Sequence, residues 1–377
     1  MYLSSLRKQN HQLVSATLAL HANGELLPDS YVIDVEQFKA NAIAIKKSAD
    51  QYGIKLFGMT KQFGRVPYLA NMLLELGYAG IVAVDFKEAR ILKKSGIKVS
   101  HIGHLVQPPE SMIKEIVKDY KPDVITVYSI DKACSISEAA LQVGRVQRVL
   151  VKFFDEDDLL YVNQESGFPL SKMDSVMQSL SQLKGIKLEG ITHFPCFLYD
   201  GVKMAPTQNL TTLLKVKSRW PKAMTLGQVN MPSATCCQTL PTIAQYGGTH
   251  AEPGHALTGT FPANVDGSQP EQLAMLYLSE ISHQFGDNSY CFAGGYYRRG
   301  NLKQCLIDGG VFNVSNEDES SIDYHLKVTG KHSVGSAVIM AFRTQVFVTR
   351  SDVVLLDGVH SGLPKVIGRY TALGESI

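Results

Sequence analysis

The sequence is short of several patterns that define protein classes. It has six cysteines in 377 residues, at 134, 196, 236, 237, 291 and 305, and Cys236 and Cys237 are adjacent rather than spaced as CxxC. Sparse, unpatterned cysteine argues against a disulfide framework and gives no zinc pattern, so no metal is expected and a reducing compartment suits the chain. There is no basic tract: 37 Lys and Arg face 35 Asp and Glu, for a net charge of +2, so nothing points to nucleic acid. No apolar run approaches membrane-spanning length, and the N-terminus lacks the apolar stretch of a secretory signal. The expectation is therefore a cytoplasmic protein with no membrane partner. Charged residues reach only 19%, but hydrophobic residues reach 45%, which excludes disorder and suits one large domain plus a smaller one.

What the chain does have is a regular alternation of apolar runs and amphipathic stretches. Residues Tyr2–His21 carry Leu3, Leu6, Leu13 and Leu18 at roughly helical spacing, closed by Asn23-Gly24. Strands are expected at 31–34, 55–60, 80–84, 99–106, 123–128, 147–153, 188–193 and 224–229, with helices between them, the first capped by Asp34. Runs such as GIVAV and DVITV are apolar throughout, as parallel strands covered on both faces by helices are. Eight such strands predict an α/β fold of the (β/α)8 TIM-barrel type; a doubly wound sheet is the competitor and would use fewer. After Pro262 the texture changes to short alternating runs at Ala274–Ile281, Lys303–Ile307, Tyr324–Val328, Val334–Met340, Gln345–Thr349 and Val353–Leu356. These predict a smaller all-β C-terminal domain. The expected divisions are a helical segment at 1–30 packing on that domain, a barrel at 31–266 and the β domain at 267–377.

The carboxyl ends of barrel strands carry the chemistry. In order they read Thr60-Lys61, Asp85, His104, Lys152, Thr192-His193, and Asn230 with Ser233, followed by His250-Ala251-Glu252-Pro253-Gly254. A lysine at the end of a buried strand loses hydration, which lowers its pKa and frees the amine as the nucleophile of a Schiff base. Lys61 fits that role, with an aldehyde cofactor as its partner. Ser233 and the backbone around Gly254 would hold a phosphate, and His193 would lie against an aromatic ring. Each residue also has a plainer reading: Lys61 with its head in water, His193 as a hydrogen-bonded structural residue, Ser233 as a helix cap, Glu252 as a turn residue.

Taken together, YVIDVEQFKANA, GMTKQFGR, GIVAVDFKEARILKKSGI, GITHFP and AEPGHALTG make residues 31–262 similar to the alanine-racemase-like barrel of fold-type III pyridoxal-phosphate enzymes. The resemblance implies pyridoxal 5'-phosphate as cofactor, a small-molecule amino acid as substrate and a homodimer. It implies that Lys61 carries the cofactor, His193 contacts the pyridine ring, and Ser233, Gly254 and Tyr370 of GRYTALG hold the phosphate. It also implies a catalytic tyrosine supplied by the partner subunit, for which FAGGYYRRG offers Tyr296 and Tyr297.

The sequence departs from alanine racemases at three places, and from related decarboxylases at a fourth. Glu252 stands where they have an arginine facing the pyridine nitrogen, and a carboxylate there keeps that nitrogen protonated. Arg65 stands in place of a phosphate-contacting tyrosine, and its fork suits a phosphate or a substrate carboxylate. Glu165 of QESGF replaces the arginine of the substrate site, and Arg343 of AFRTQ sits where related decarboxylases have a catalytic cysteine. Arg65, Glu165 and Arg343 are thus the candidate substrate contacts. The activity expected is racemisation or epimerisation by Cα proton abstraction. A decarboxylase or lyase reaction is the alternative within the fold, and a non-catalytic cofactor carrier the alternative outside it.

Overall fold

The computed structural model describes residues 1–315 and 320–377. The chain forms two compact units, and it passes between them more than once. One comprises Ile45–Thr60 and Pro67–Gly254, the other Met1–Ala44, Lys61–Val66 and His255–Ile377.

The first unit is a closed barrel. Its strands run in the order Gln228–Asn230, His250–Ala251, Lys55–Met59, Gly80–Val82, Val99–Ile102, Val124–Val127, Gln147–Val151 and Ile186–Thr192, the last returning to the first. Every pairing is parallel. Phe57, Met59, Val82, Val124 and Leu150 form a buried apolar cluster. Apolar side chains of this kind fill a barrel interior and leave the strand ends for polar groups.

One expected barrel strand lies elsewhere. Ser30–Asp34 is a central strand of the other unit's sheet, antiparallel to Met275–Phe285 and parallel to Asp352–Asp357. A strand flanked on both sides is buried along its whole length, so its apolar run reads like that of a barrel strand. The place it left is filled by His250–Ala251, which pairs with both Gln228–Asn230 and Lys55–Met59. Two residues, one of them histidine, carry too little pattern to announce a strand.

The second unit is built on a nine-stranded sheet: Asn288–Phe292, His325–Thr329, Gly310–Ser315, Gln304–Ile307, Ala337–Met340, Met275–Phe285, Ser30–Asp34, Asp352–Asp357 and Lys365–Thr371. Asn288–Phe292 also pairs with Met275–Phe285, so the antiparallel part closes on itself. The run Gln345–Thr349, expected as a strand, is instead a single tight helical turn at Val346–Val348. The expected N-terminal helix is two helices, Leu3–Gln9 and His11–Ala22. The break is at Asn10, a buried residue that accepts Leu13 N at 3.1 Å and donates to Asp34 Oδ2 at 2.8 Å. A side chain that caps a helix start favours a new helix over continuing the old one. Leu3, Leu6, Leu13 and Leu20 share a core with Leu278, Leu306, Ile339 and Val354. Asp34 is itself a cap, taking Gln37 N on Oδ1 at 3.0 Å at the start of the helix Val35–Gln51.

Candidate active site

The barrel's strand ends carry a buried polar network around Glu252. Its carboxylate takes His101 Nδ1 at 2.8 Å and Asn230 Nδ2 at 2.8 Å, both on Oε1. Oε2 accepts no hydrogen bond, although His104 Nε2 stands 3.4 Å away. Burial alone would raise the Glu252 pKa, but His104, His101 and Asn230 outweigh it and hold the group down to about 2. The carboxylate is therefore ionised, and His101 must carry its proton on Nδ1. Thr126 then donates to His101 Nε2 across 2.7 Å. Ligating atoms of His101, His104 and Glu252 lie within 4.8 Å of one another, but both nitrogens of His101 are already engaged.

His193 is fixed just as closely. Phe194 N donates to its Nδ1 at 2.8 Å, so the proton sits on Nε2, which donates to Asp158 Oδ2 at 2.7 Å. Burial lowers the His193 pKa and keeps the ring neutral despite the acid beside it. Burial pushes Asp158 up, but its bonds from His193 and Asp155 N prevail, and with Thr212 on Oδ1 at 2.7 Å the carboxyl lies below its usual range.

Ser233 and Ala234 follow the strand Gln228–Asn230, both with left-handed backbone at φ 86° and 52°. Non-glycine residues in that region cost of the order of 1 kcal/mol each, and such strain collects at ligand-binding loops. No helix begins there, so Ser233 is not a cap; its hydroxyl donates to Phe197 O at 2.8 Å. A phosphate would compete with that carbonyl for the proton. Gly254 is buried, and its neighbour Pro253 accepts Met59 N at 2.9 Å. That bond sets the strand leading to Thr60-Lys61 beside the segment carrying Glu252. Thr60 is pinned in turn, donating its hydroxyl to the buried Glu88, which also takes Val84 N at 2.8 Å. Asp85 caps the helix Phe86–Lys94 by accepting Glu88 N. Glu165 is exposed, whereas Lys152 at the base of the same loop is buried.

The second unit holds the remaining candidates. Lys61 is 8% exposed and opens the short turn Lys61–Phe63. Burial, then the charges of Arg343 and Lys61, drive the His255 pKa well below its usual value. Arg343 Nε donates to His255 Nε2 at 3.2 Å, so the imidazole proton lies on Nδ1, which has no hydrogen-bond partner. Lys61, His255 and Arg343 thus form one electrostatic cluster. Arg65 is buried in the left-handed region at φ 57°, with its guanidinium 5.0 Å over the Phe347 ring. Gly64 beside it has φ +73°, and a Cβ there would meet Val353 Cγ2 at 2.7 Å. Val353 pairs with Tyr370, so Tyr370 lies in the strand beside this turn.

Tyr296 and Tyr297 are half-buried and lie outside the sheet, between Asn288–Phe292 and the turn Arg298–Gly300. Tyr31 hydrogen-bonds both the Gly295 carbonyl and Thr344 Oγ1, tying this loop to the one that carries Arg343. Gly300 packs so tightly there that a Cβ would stand 2.5 Å from the Arg343 carbonyl oxygen. His101, Asp158, Glu88 and His255 were not singled out from sequence. The signal for His101 was a polar residue inside a buried strand, and for His255 its place directly after Pro-Gly.

The residues present fit pyridoxal phosphate. A buried lysine follows a strand end, and a buried ionised carboxylate keeps one oxygen unbonded, as a protonated ring nitrogen requires.

Comparison with known proteins agrees. Residues 33–262 match the family model of the alanine racemase N-terminal domain, and residues 276–366 that of a YhfX-like C-terminal domain. The chain is 50% identical over 386 aligned residues to the uncharacterized protein YhfX of Escherichia coli (strain K12), with 100% of each covered. Its fold is similar to that of alanine racemase from Clostridium difficile 630, at 19% identity and TM-score 0.67 over 92% of this chain and 99% of that one. It is similar also to D-threonine aldolase from Filomicrobium marinum, at 14% identity and TM-score 0.70 over 93% and 96%. A third similar structure is D-threo-3-hydroxyaspartate dehydratase from Delftia sp. HT23, at 15% identity and TM-score 0.64 over 90% and 97%.

Proposed function

Because the chain belongs to the alanine racemase N-terminal domain family, we propose that it is a pyridoxal-phosphate-dependent amino acid racemase or epimerase. The family is pyridoxal-phosphate dependent, and its fold is the one described above. The observation that carries the reading is a buried, ionised Glu252 whose Oε2 is unbonded, in a chain whose Lys61 is also buried. In this reading Lys61 holds the cofactor, Glu252 the ring nitrogen, His193 the ring face, and Ser233, Gly254, Arg65 and Tyr370 the phosphate.

When bound, the cofactor supplies an electron sink for negative charge at the substrate's Cα. The chain supplies the rest. The Lys61 amine takes the Cα proton on one face, and a proton is returned on the other by Tyr296 or Tyr297. These two would serve a partner's site in a homodimer. Glu252 would hold positive charge on the ring, because His104 together with hydrogen bonds from His101 and Asn230 keeps it ionised without solvent. Arg343, held against His255, is a further candidate contact for the substrate.

A lyase reaction at the same site is the second reading, favoured by Glu252 because an ionised carboxylate at the ring nitrogen strengthens the electron sink that bond cleavage beside Cα also needs. Incubation with a panel of D- and L-amino acids in deuterated water separates the two. The first reading expects deuterium at Cα and loss of optical rotation with no change in composition. Release of an aldehyde or ammonia would instead support the second.

A further inference from the structure

Lys152 follows directly on the barrel strand Gln147–Val151 and is only 4% exposed. An ammonium group offers three donors. Here Nζ donates to Ser166 Oγ at 2.9 Å, and the charge lies 5.6 Å over the Tyr128 ring. Among the described residues no carboxylate forms an ion pair with it. The carboxylate whose charge reaches it is Asp158, whose oxygens are taken by His193, Thr212 and Asp155 N. Burial is the larger influence on Lys152 and brings its pKa to about 8, with Asp158 opposing; at neutral pH the group is still mostly a cation. Ser166 cannot balance that charge, and its own proton goes to Gln164 O at 3.3 Å.

A buried ammonium without a counter-ion is costly, and proteins tolerate one where a ligand supplies the anion. The position fits such a ligand, because the Lys152 charge is felt by His193 at the next strand end. The loop above is built around the lysine: Phe168 N donates to its carbonyl at 2.9 Å, and Gly167 at φ +117° leaves room that a Cβ would close, 3.1 Å from that oxygen. In the same loop Glu165 is exposed and of the wrong sign to hold a carboxylate.

We propose that Lys152 is the anchor for the substrate's carboxylate, with Ser166 and the face of Tyr128 holding its ammonium in place. This rests on the reading of the chain as an amino acid enzyme and adds to it the residue that recognises the acid group. The cofactor's phosphate is the other anion available, and the test separates the two.

The test uses the full-length, cofactor-loaded protein. Propionate and its uncharged counterpart propionamide are titrated by ligand-detected NMR against wild type, Lys152→Met and Lys152→Arg. Propionate should bind wild type and Lys152→Arg, and bind Lys152→Met at least about tenfold more weakly, as loss of a charged hydrogen bond implies. Propionamide should not distinguish the three. Equal propionate affinity in Lys152→Met and wild type overturns the proposal. So does a Lys152→Met protein that loses pyridoxal phosphate but still binds propionate, because the anion is then the phosphate. Thermal melting gives a second measurement. Lys152→Met should melt no lower than wild type, since it removes an unbalanced buried charge; a clear drop would make the lysine structural and also overturn the proposal. The titration needs no turnover, so it can succeed or fail independently of cofactor attachment at Lys61.

Discussion

His101 Nδ1 lies 2.8 Å from Glu252 Oε1, with both side chains fully buried. With His104 and Asn230, the pair keeps a carboxylate charged inside a barrel. Glu252→Gln keeps the shape and removes the charge. It should leave cofactor content unchanged and slow Cα proton exchange by about 10²–10³-fold, the scale of losing one preorganised electrostatic contact. Exchange in deuterated water, normalised to cofactor absorbance, measures this; an unchanged rate would exclude Glu252 from the chemistry.

His250 makes a prediction about acid. Burial first, then the charge of Lys55, lower its pKa to about 4. Between pH 6.5 and 4 the unfolded chain binds a proton there that the folded chain refuses. Stability is therefore lost as pH falls through that window, by up to about 3 kcal/mol from this residue. Denaturant titrations at pH 7 and pH 4.5 should show a smaller difference in His250→Asn than in wild type. Equal pH dependence would mean that His250 is not held neutral.

Tyr31→Phe removes the hydroxyl that ties the Gly295 carbonyl to Thr344. Leaving those groups unsatisfied should cost about 1–3 kcal/mol. The loops bearing Tyr296, Tyr297 and Arg343 lose their common tether, so turnover should fall further than stability alone accounts for. Denaturant midpoints and exchange rates on the same sample check both effects.

The barrel was legible because most of its strands are continuous apolar runs, and the strand-end places of Lys61 and His193 because they follow such runs. The same rule misplaced Ser30–Asp34, since a central strand of a mixed sheet is buried on both faces too. It passed over His250–Ala251, whose two residues are held by their neighbours' register rather than by pattern. Asp158 lies in a run of acids, DEDD, where only the fold reveals which one turns inward to His193. His255 and Arg343 are 88 positions apart, and such pairing follows from tertiary packing alone.

Tyr297 is proposed to act on the partner's site. Lys61→Ala and Tyr297→Phe proteins should each be inactive, and mixed dimers should regain about half of wild-type activity per dimer, because one of their two sites is intact. Activity assays on dimers purified through two different affinity tags measure this. No recovery in confirmed mixed dimers would place Tyr297 in its own chain's site or outside catalysis.

Lys61 is the proposed site of pyridoxal phosphate attachment. Reduction of the loaded protein with borohydride, followed by peptide mapping, tests it most directly. Loss of the visible absorbance and one modified peptide are expected, with the pyridoxyl group on Lys61 and none on Lys152. Label on another lysine, or an unlabelled Lys61 with cofactor in excess, would contradict it.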